Sequence, residues 1–230
     1  IFPSYKKTRL RSLQTYKEKV EKAFPGSRVA LNLVGMEKNE LHRGDIVFGT
    51  KQIKASKNID VQIQLLPQLK KYSLTNRSEL VFFTGTKEIL AKAILNQKKY
   101  FKAGEKGFAQ LRFKEPLATY LRDLFILRIP SPPKTIGGGL IVDPLAHKHH
   151  FKDKDILRFL QKRIKFDLRE LVLTELKKNI FIKKDNLLIN SNYTDSEIRE
   201  VVESLKKEGK IITTNSWLID KNYWQEQIIK

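Results

Sequence analysis

Positive charge interleaved with aromatic rings marks one short stretch of the chain as a candidate binding site. Between residues 98 and 108, four lysines flank three aromatic side chains: Lys98, Lys99, Lys102 and Lys106 around Tyr100, Phe101 and Phe108. Ammonium groups attract nucleic-acid phosphates, and exposed aromatic rings stack on unpaired bases. The same pattern also fits a solvated loop of a β-barrel whose aromatic rings face the core. The sequence leaves both interpretations open.

The residue types and spacings that most enzymes need are not found. No G-x-x-x-x-G-K-[ST] loop is present, so we expect no nucleotide site of that kind. The chain has no cysteine, which excludes disulfides, thiolate metal sites and cysteine nucleophiles. Its carboxylates form no pair placed for acid–base catalysis. We therefore predict no catalytic, cofactor-binding or metal site in this chain.

Two further clusters have simpler explanations. His147, His149 and His150 lie among lysines, without carboxylates or cysteines at ligand spacing, so charge repulsion disfavours a metal ion there. We expect residues 144–150 to form a polar, basic linker that contacts phosphate. Residues 137–139 are three glycines between strand residues, and they do not open a helix. They predict a close approach of two backbones inside a barrel.

The net charge is large and unevenly spread. The formal value is +20, and residues 51–150 contribute 18 basic and 7 acidic side chains, against 10 and 5 in residues 1–50 and 17 and 13 in residues 151–230. A field of this size attracts polyanions with strong salt dependence. Lysines that merely keep a surface soluble are the alternative. The charge therefore favours a nucleic-acid partner whose main contact lies in the middle of the chain.

The remaining composition places the protein in the cytoplasm. No apolar run approaches the roughly 20 residues of a membrane span, and no signal-peptide pattern opens the chain, so we expect no membrane partner. The lack of cysteine fits a reducing compartment. The sequence begins Ile1-Phe2-Pro3, without an initiator methionine and directly before strand-like sequence. We expect it to be a piece of a longer polypeptide.

Hydrophobic periodicity predicts a mainly β chain with a C-terminal α/β part. In residues 1–50, short strands such as Arg9–Gln14, Arg28–Val34 and Ile46–Phe48 predict part of a small barrel. Residues 51–146 contain six strand signals at roughly even spacing, which predict a closed antiparallel barrel. They are Ile59–Leu65, Leu80–Thr86, Glu88–Leu95, Gly107–Phe113, Leu124–Ile129 and Lys134–Val142.

Residues 147–230 carry the helical period and the element order of a winged helix. The sequence Thr194-Asp195-Ser196-Glu197 predicts a capping box, and the apolar stripe after it predicts a helix that ends at Gly209. The candidate RNA contacts of this part are Arg199, Lys206, Lys207 and Lys210. Four glutamates between residues 197 and 208 nearly cancel that charge. A spacer or protein-contact role is therefore an equal alternative here.

Several strings together resemble the bacterial selenocysteine-specific translation elongation factors. The strings are Pro25–Leu33 with Arg43-Gly44-Asp45, Phe83–Glu88, Gly107–Phe113, Glu115-Pro116-Leu117, Asp123–Arg128, Thr135–Gly139 and Asp143-Pro144. The resemblance covers nearly the whole chain and is most specific in residues 51–146. It implies the later part of a second translation-factor barrel in residues 1–50, a third-domain barrel in residues 51–146 and a first winged helix in residues 147–230.

The family resemblance also implies a function. Such factors are GTPases that use GTP and Mg²⁺ and deliver selenocysteyl-tRNA to the ribosome at recoded UGA codons, tethered to a selenoprotein mRNA hairpin by later winged helices. The GTPase domain of the family has no counterpart in this sequence. On the family pattern, Arg28 lines the aminoacyl pocket, and Arg43 and the four lysines of residues 98–106 contact tRNA. A winged-helix DNA-binding protein and a structural spacer are the alternatives.

Overall fold

The chain forms two compact units. The computed structural model describes residues 1–49, 53–96, 98–150, 153–221 and 224–225. The units comprise residues 1–50 and residues 51–230. The predicted domain limit at residues 50 and 51 falls outside the described ranges, and the predicted limit at residues 146 and 147 falls inside the second unit.

The first unit contains a small antiparallel sheet with the order β2-β1-β3. Its strands are β1 (Leu10–Thr15), β2 (Glu18–Val20) and β3 (Ala30–Leu33). The strand predicted at Ile46–Phe48 is reduced to one bridge, in which Ile46 exchanges backbone hydrogen bonds with Phe2. Pro3 follows Phe2 and has no N–H to donate, so a ladder along this segment cannot continue in the usual way.

The second unit begins with a closed antiparallel barrel, which confirms the prediction for this part of the chain. The barrel order within the described residues is β10-β11-β4-β9-β7-β6, closed by the pairing of β10 with β6. In chain order the strands of this region are β4 (Ser56–Leu65), β5 (Ser73–Thr75), β6 (Glu79–Thr84), β7 (Lys87–Leu95), β8 (Tyr100–Lys102), β9 (Lys106–Leu117), β10 (Leu124–Ile129) and β11 (Lys134–Asp143).

The alternation of apolar residues explains why these segments close into a barrel. Ile59, Val61, Ile63 and Leu65 lie at every second position of β4 and are fully buried. Successive side chains of a strand point to opposite faces, so this alternation places one face of β4 in the core. The inward faces of the neighbouring strands complete a single apolar cluster, and Phe82 stacks on Phe125 within it.

The three glycines of β11 mark the closest backbone approach in the barrel. A Cβ at Gly137 would lie 2.3 Å from the carbonyl oxygen of Gln64, and one at Gly139 would lie 1.8 Å from that of Gln62. A Cβ at Gly138 would lie 2.4 Å from the carbonyl oxygen of Phe125 on the other neighbouring strand. The close approach predicted for this triplet is therefore confirmed, and it holds β11 against both β4 and β10.

The C-terminal part of the second unit has the predicted order of elements. They are α1 (Lys154–Arg163), α2 (Leu168–Asn179), β12 (Phe181–Lys183), α3 (Asp195–Lys207), β13 (Ile211–Thr213) and β14 (Trp217–Asp220). The strands form a sheet with the order β12-β14-β13. The capping box of α3 is confirmed, because Thr194 and Glu197 each accept a hydrogen bond from the other's backbone N–H. Gly209 follows α3 with φ of +68°.

A buried ionic cluster joins the helices to the end of the barrel. We call Asp143, Arg163, Glu175 and Lys178 the junction cluster. Arg163 is 1% exposed and lies 2.9 Å from Glu175 and 3.6 Å from Asp143. Lys178 lies 2.9 Å from both carboxylates. Asp143 ends β11 whereas the other three lie on α1 and α2, so the cluster fixes the helices against the barrel.

The junction cluster is balanced in charge and largely satisfied in hydrogen bonding. Besides the carboxylates, Arg163 donates to the carbonyl of Val142 and to the hydroxyl of Thr174. Burial by itself would raise the pKa of Asp143, but Arg163 and Lys178 outweigh that effect and hold this pKa below its usual value. Asp143 is therefore ionised at neutral pH, and its charge has two cationic partners.

Replacing Gly139 by alanine is expected to destabilise the second unit by about 1–3 kcal/mol, because the new methyl group forces β11 away from β4. Urea unfolding followed by far-UV circular dichroism measures the loss. Thr135→Ala is the matched control, since Thr135 is exposed on the same strand and its loss should stay within about 0.5 kcal/mol. Equal losses in the two variants would contradict the close-approach explanation.

Replacing Arg163 by methionine is expected to cost about 3–5 kcal/mol, because it leaves two buried carboxylates with one cation. Both tryptophans of the chain lie in the second unit, so their fluorescence during urea unfolding reports its stability. Lys162→Met is the matched control. Lys162 is largely exposed and 3.1 Å from Glu170, and such a pair contributes below about 1 kcal/mol.

The pH dependence of that loss separates ionic from packing effects. A carboxyl group with a lowered pKa stabilises the fold above its unfolded pKa of about 3.9 and ceases to do so as the pH falls through the folded value. The stability difference between Arg163→Met and the unmodified chain should therefore shrink below about pH 4. A difference that stays constant from pH 7 to pH 3 would assign the loss to packing instead.

Candidate nucleic-acid interface

The four lysines predicted as a binding site lie on and beside strand β8 of a small two-stranded sheet, with Lys106 at the start of β9. Strand β5 pairs with β8 through Ser73 and Lys102, Leu74 and Phe101, and Thr75 and Tyr100. Leu74 and Phe101 point into the barrel core and are buried. Side chains of a strand alternate between faces, so Tyr100 and Lys102 point outward. The buried pair thus anchors an exposed surface.

The aromatic rings of residues 98–108 differ in exposure, and only an exposed ring can stack on a base. Phe101 is 1% exposed and belongs to the barrel core, so the interpretation of Phe101 as a stacking residue is wrong. Gly107 packs directly under its ring. Phe108 is half-buried, whereas Tyr100 is exposed and has the ammonium of Lys102 6.0 Å from its ring centre. Tyr100 is therefore the ring of this stretch that a base could reach.

One carboxylate partly neutralises the lysines. Glu105 accepts a hydrogen bond from the backbone N–H of Lys102, and the ammonium of Lys98 lies 3.3 Å from its carboxylate. These two contacts lower the pKa of Glu105. Lys98 is thus engaged within the loop. Lys99, Lys102 and Lys106 are exposed and present their charge to solvent.

The fold adds three cations that the sequence analysis did not include. Lys70 and Lys71 precede β5 and Arg77 follows it, and all three are exposed. Because β5 runs antiparallel to β8, these side chains join those of residues 98–106 on one surface. We call residues 70–77 and 98–106 the basic patch. It holds seven basic residues and one acidic residue. A prediction from sequence would have needed the pairing of β5 with β8 to include Lys70, Lys71 and Arg77 in it.

The helix α3 is a weaker candidate. Lys206 lies 3.8 Å from Glu203, and Lys210 lies 3.1 Å from Glu208. Arg169 of α2 also bonds Glu208, and this contact together with Lys210 lowers the pKa of Glu208 to about 2. Arg199 and Lys207 are exposed on the same helix. Most of the positive charge near the C-terminal end of α3 is therefore neutralised by neighbouring glutamates.

Arg28, predicted to line the aminoacyl pocket, and Arg43, predicted to contact tRNA, both lie in the first unit. Arg28 is exposed on the segment before β3, where its carbonyl accepts a hydrogen bond from the hydroxyl of Thr15. Arg43 is exposed in a turn closed by hydrogen bonds between His42 and Asp45. A concavity of about 410 Å³ in this unit is lined by Ser12, Gln14, Leu31, Met36 and Leu41 among others. Neither arginine is among its lining residues, and their predicted roles stay predictions.

The sequence is similar to known elongation factors over most of its length. Residues 57–148 match the family of the selenocysteine-specific elongation factor, beta-barrel domain. A selenocysteine-specific elongation factor of Desulfomicrobium baculatum is 35% identical over 162 residues, which is 70% of this chain and 25% of that protein. The barrel of this chain is thus similar to the beta-barrel domain of the selenocysteine-specific elongation factors. The match to the barrel domain covers all six strands of the closed barrel.

Two further elongation factors are similar to parts of this chain. A selenocysteine-specific elongation factor of Methanocaldococcus jannaschii is 25% identical over 160 residues, which is 62% of this chain and 34% of that protein. An elongation factor 1-alpha of Metallosphaera sedula is 40% identical over 50 residues, which is 22% of this chain and 12% of that protein. The chain thus spans between about a tenth and a third of the length of these relatives.

The segment predicted to be a phosphate-contacting linker packs against the barrel. His149 is buried, and its Nε2 lies 2.7 Å from the carboxylate of Asp60. The carbonyls of His147 and His149 accept hydrogen bonds from Gln110 and Arg112. Burial raises the pKa of Asp60, and the contact with His149 partly offsets this. The expected phosphate contact is wrong for His149, because its ring faces a buried carboxylate; His147 and His150 are exposed.

The described part of the chain contains neither a candidate metal site nor a helix suited to span a membrane. Among the described residues, no group of three or more histidine, aspartate or glutamate side chains is placed to hold a metal ion. Nor does any described helix have the length and apolar character needed to cross a membrane. The basic patch of the barrel is therefore the surface on which a functional proposal rests.

Proposed function

We propose that this chain contributes tRNA binding to a selenocysteine-specific elongation factor. The similarity to selenocysteine-specific elongation factors supports a role in translation. We infer the tRNA contact from the basic patch, where seven basic residues and one acidic residue share one surface of the barrel. Ammonium groups arranged in this way bind a phosphate backbone without reading its sequence, as a carrier of tRNA requires.

The wider role follows from the family as a further part of the proposal. The whole protein would be a GTPase that uses GTP and Mg²⁺, delivers selenocysteyl-tRNA to the ribosome and is held at a selenoprotein mRNA hairpin. Residues 51–146 would act as its third-domain barrel, and residues 147–230 as a winged helix that links the barrel to the hairpin-binding part. Arg28 would hold the selenolate by a charge-assisted contact, with Arg43 near the tRNA.

The local ion pairs of α3 support the spacer role for the winged helix over groove recognition. A recognition helix that enters a major groove needs free cations near its N-terminus. Here the first turn of α3 carries Asp195 and Glu197, and the cations at the other end face Glu203 and Glu208. The charge arrangement therefore disfavours a DNA-binding protein, the alternative that the sequence left open.

Neutralising the basic patch should weaken tRNA binding and flatten its salt dependence. The triple variant Lys99→Gln, Lys102→Gln, Lys106→Gln removes three exposed charges. Each lost phosphate contact lowers the slope of log K against log salt by roughly 1. We expect a decrease of roughly 2 to 3 for selenocysteyl-tRNA, measured by fluorescence anisotropy between 50 and 200 mM salt.

The matched control changes the same charge at α3. The variant Lys206→Gln, Lys207→Gln, Lys210→Gln should alter the slope by less than about 1, because two of its lysines already face glutamates. A larger effect at α3 than at the basic patch would move the tRNA contact to the winged helix. Tighter binding of a duplex DNA than of any tRNA would overturn the proposed function.

A further inference from the structure

The outer face of the three-stranded sheet carries exposed aromatic side chains that the barrel and helices do not cover. Strand alternation places Ile182, Ile211 and Leu218 in the core and points the opposite side chains away from it, with Phe181, Lys183 and Trp217 exposed and Ile212 and Ile219 half-buried. We call these outward residues the aromatic face: Phe181, Lys183, Ile212, Trp217 and Ile219. Phe181 is 57% exposed and Trp217 is 36% exposed.

Phe181, Trp217 and Lys183 lie next to one another at the centre of the aromatic face. The rings of Phe181 and Trp217 pack edge to face, with centroids 5.5 Å apart and an interplanar angle of 74°. The ammonium of Lys183 lies 5.4 Å from the centre of the Trp217 ring. Aromatic surface beside a cation is the chemistry that single-stranded nucleic acids recognise, because every base has a π-face and is linked to a phosphate.

Strain in the backbone positions Phe181. Ile180 ends α2 with φ of +67°, a region that a β-branched residue rarely adopts. Its N–H and carbonyl are held by hydrogen bonds with Leu176 and Asp220. This sharp turn starts β12 with Phe181 on the outward side. Strain of this kind persists where the surrounding structure requires it and is concentrated at binding sites.

The size and charge of the aromatic face favour a nucleic-acid base over a protein partner. Strands of three to four residues, at about 3.3 Å per residue and about 4.8 Å spacing, give a face on the order of 100–200 Å². A stable protein interface needs about 800 Å² from each partner. The segments 180–185 and 210–221 carry four lysines and two aspartates, and Lys210 faces Glu208, so the charge excess is small. Lys183 supplies a positive charge next to the rings, which complements a phosphate.

We propose that the aromatic face binds an unpaired RNA base by stacking on Trp217 and Phe181, with Lys183 at the adjoining phosphate. This site is separate from the basic patch, which lies on the barrel. The choice of RNA rather than DNA rests on the proposed function, whereas the stacking itself rests on the geometry of the face. The small charge excess makes stacking the larger contribution, so binding here depends weakly on salt.

Tryptophan fluorescence can isolate this site. The 230-residue chain has two tryptophans, so Trp224→Phe leaves Trp217 as the single reporter. The same chain also carries Lys99→Gln, Lys102→Gln and Lys106→Gln, which removes the basic patch and makes the result independent of the tRNA proposal. An eight-nucleotide single-stranded RNA of uridine and cytidine should quench Trp217 saturably, and the same RNA annealed to its complement should bind more weakly.

Variants of Phe181 and Lys183 then test the stacking. Phe181→Ala should weaken binding about 5-fold to 100-fold. Phe181→Leu keeps the apolar bulk and should show a similar loss, which separates lost stacking from lost folding. Lys183→Gln should lower the salt slope by about 1. Phe24→Ala, at an exposed phenylalanine of the first unit, is the matched control and should change nothing.

The proposal is overturned by any of three results. The first is the absence of saturable quenching by the single-stranded RNA. The second is duplex binding that equals or exceeds single-strand binding. The third is an unchanged affinity in both Phe181 variants. None of these results bears on the tRNA contact at the basic patch, which is measured with tRNA and with a different set of lysines.

Discussion

The buried junction cluster is the interaction on which the arrangement of the second unit depends. Apolar contact alone is non-directional and would allow the helices to rotate on the end of the barrel. Arg163 and Lys178 each contact both Asp143 and Glu175, and such charge-assisted contacts have defined directions. Asn190 adds a second tie, since its amide bonds the backbone of Lys54 and Thr119. The net stability gained from buried pairs is small, and their contribution is to orientation.

Strand and helix periodicity made the barrel and the capped helix predictable from the sequence. The six barrel strands and α3 are long enough to show a clear period, and the apolar face that this period defines is buried. Strands β5 and β8 have three residues each, too few for a period, and their pairing joins residues far apart in the chain. The extent of the basic patch depends on that pairing, so three of its cations were missed.

Buried polar residues were the other class that the sequence did not predict. Arg163 lies on a helix rich in lysine and arginine, where a cation is expected to face solvent, and its partners lie 12 and 20 residues away. His149 likewise stands among lysines and histidines in the sequence but meets Asp60 from β4. Burial of a charge is decided by a tertiary partner, and one sequence contains no local signal for it.

The two candidate RNA sites use different physics within one compact unit. The basic patch attracts phosphates, so its affinity falls as the salt concentration rises, because releasing counterions from the RNA then gains less free energy. The aromatic face stacks on a base and is less sensitive to salt. The patch belongs to the barrel and the face to the helical part, and the junction cluster holds these parts together. An RNA that reaches both sites would meet the second one intramolecularly, at a high effective concentration. Weak stacking would then matter only for an RNA already held by its phosphates, so the fixed geometry of the junction would set which RNAs are retained.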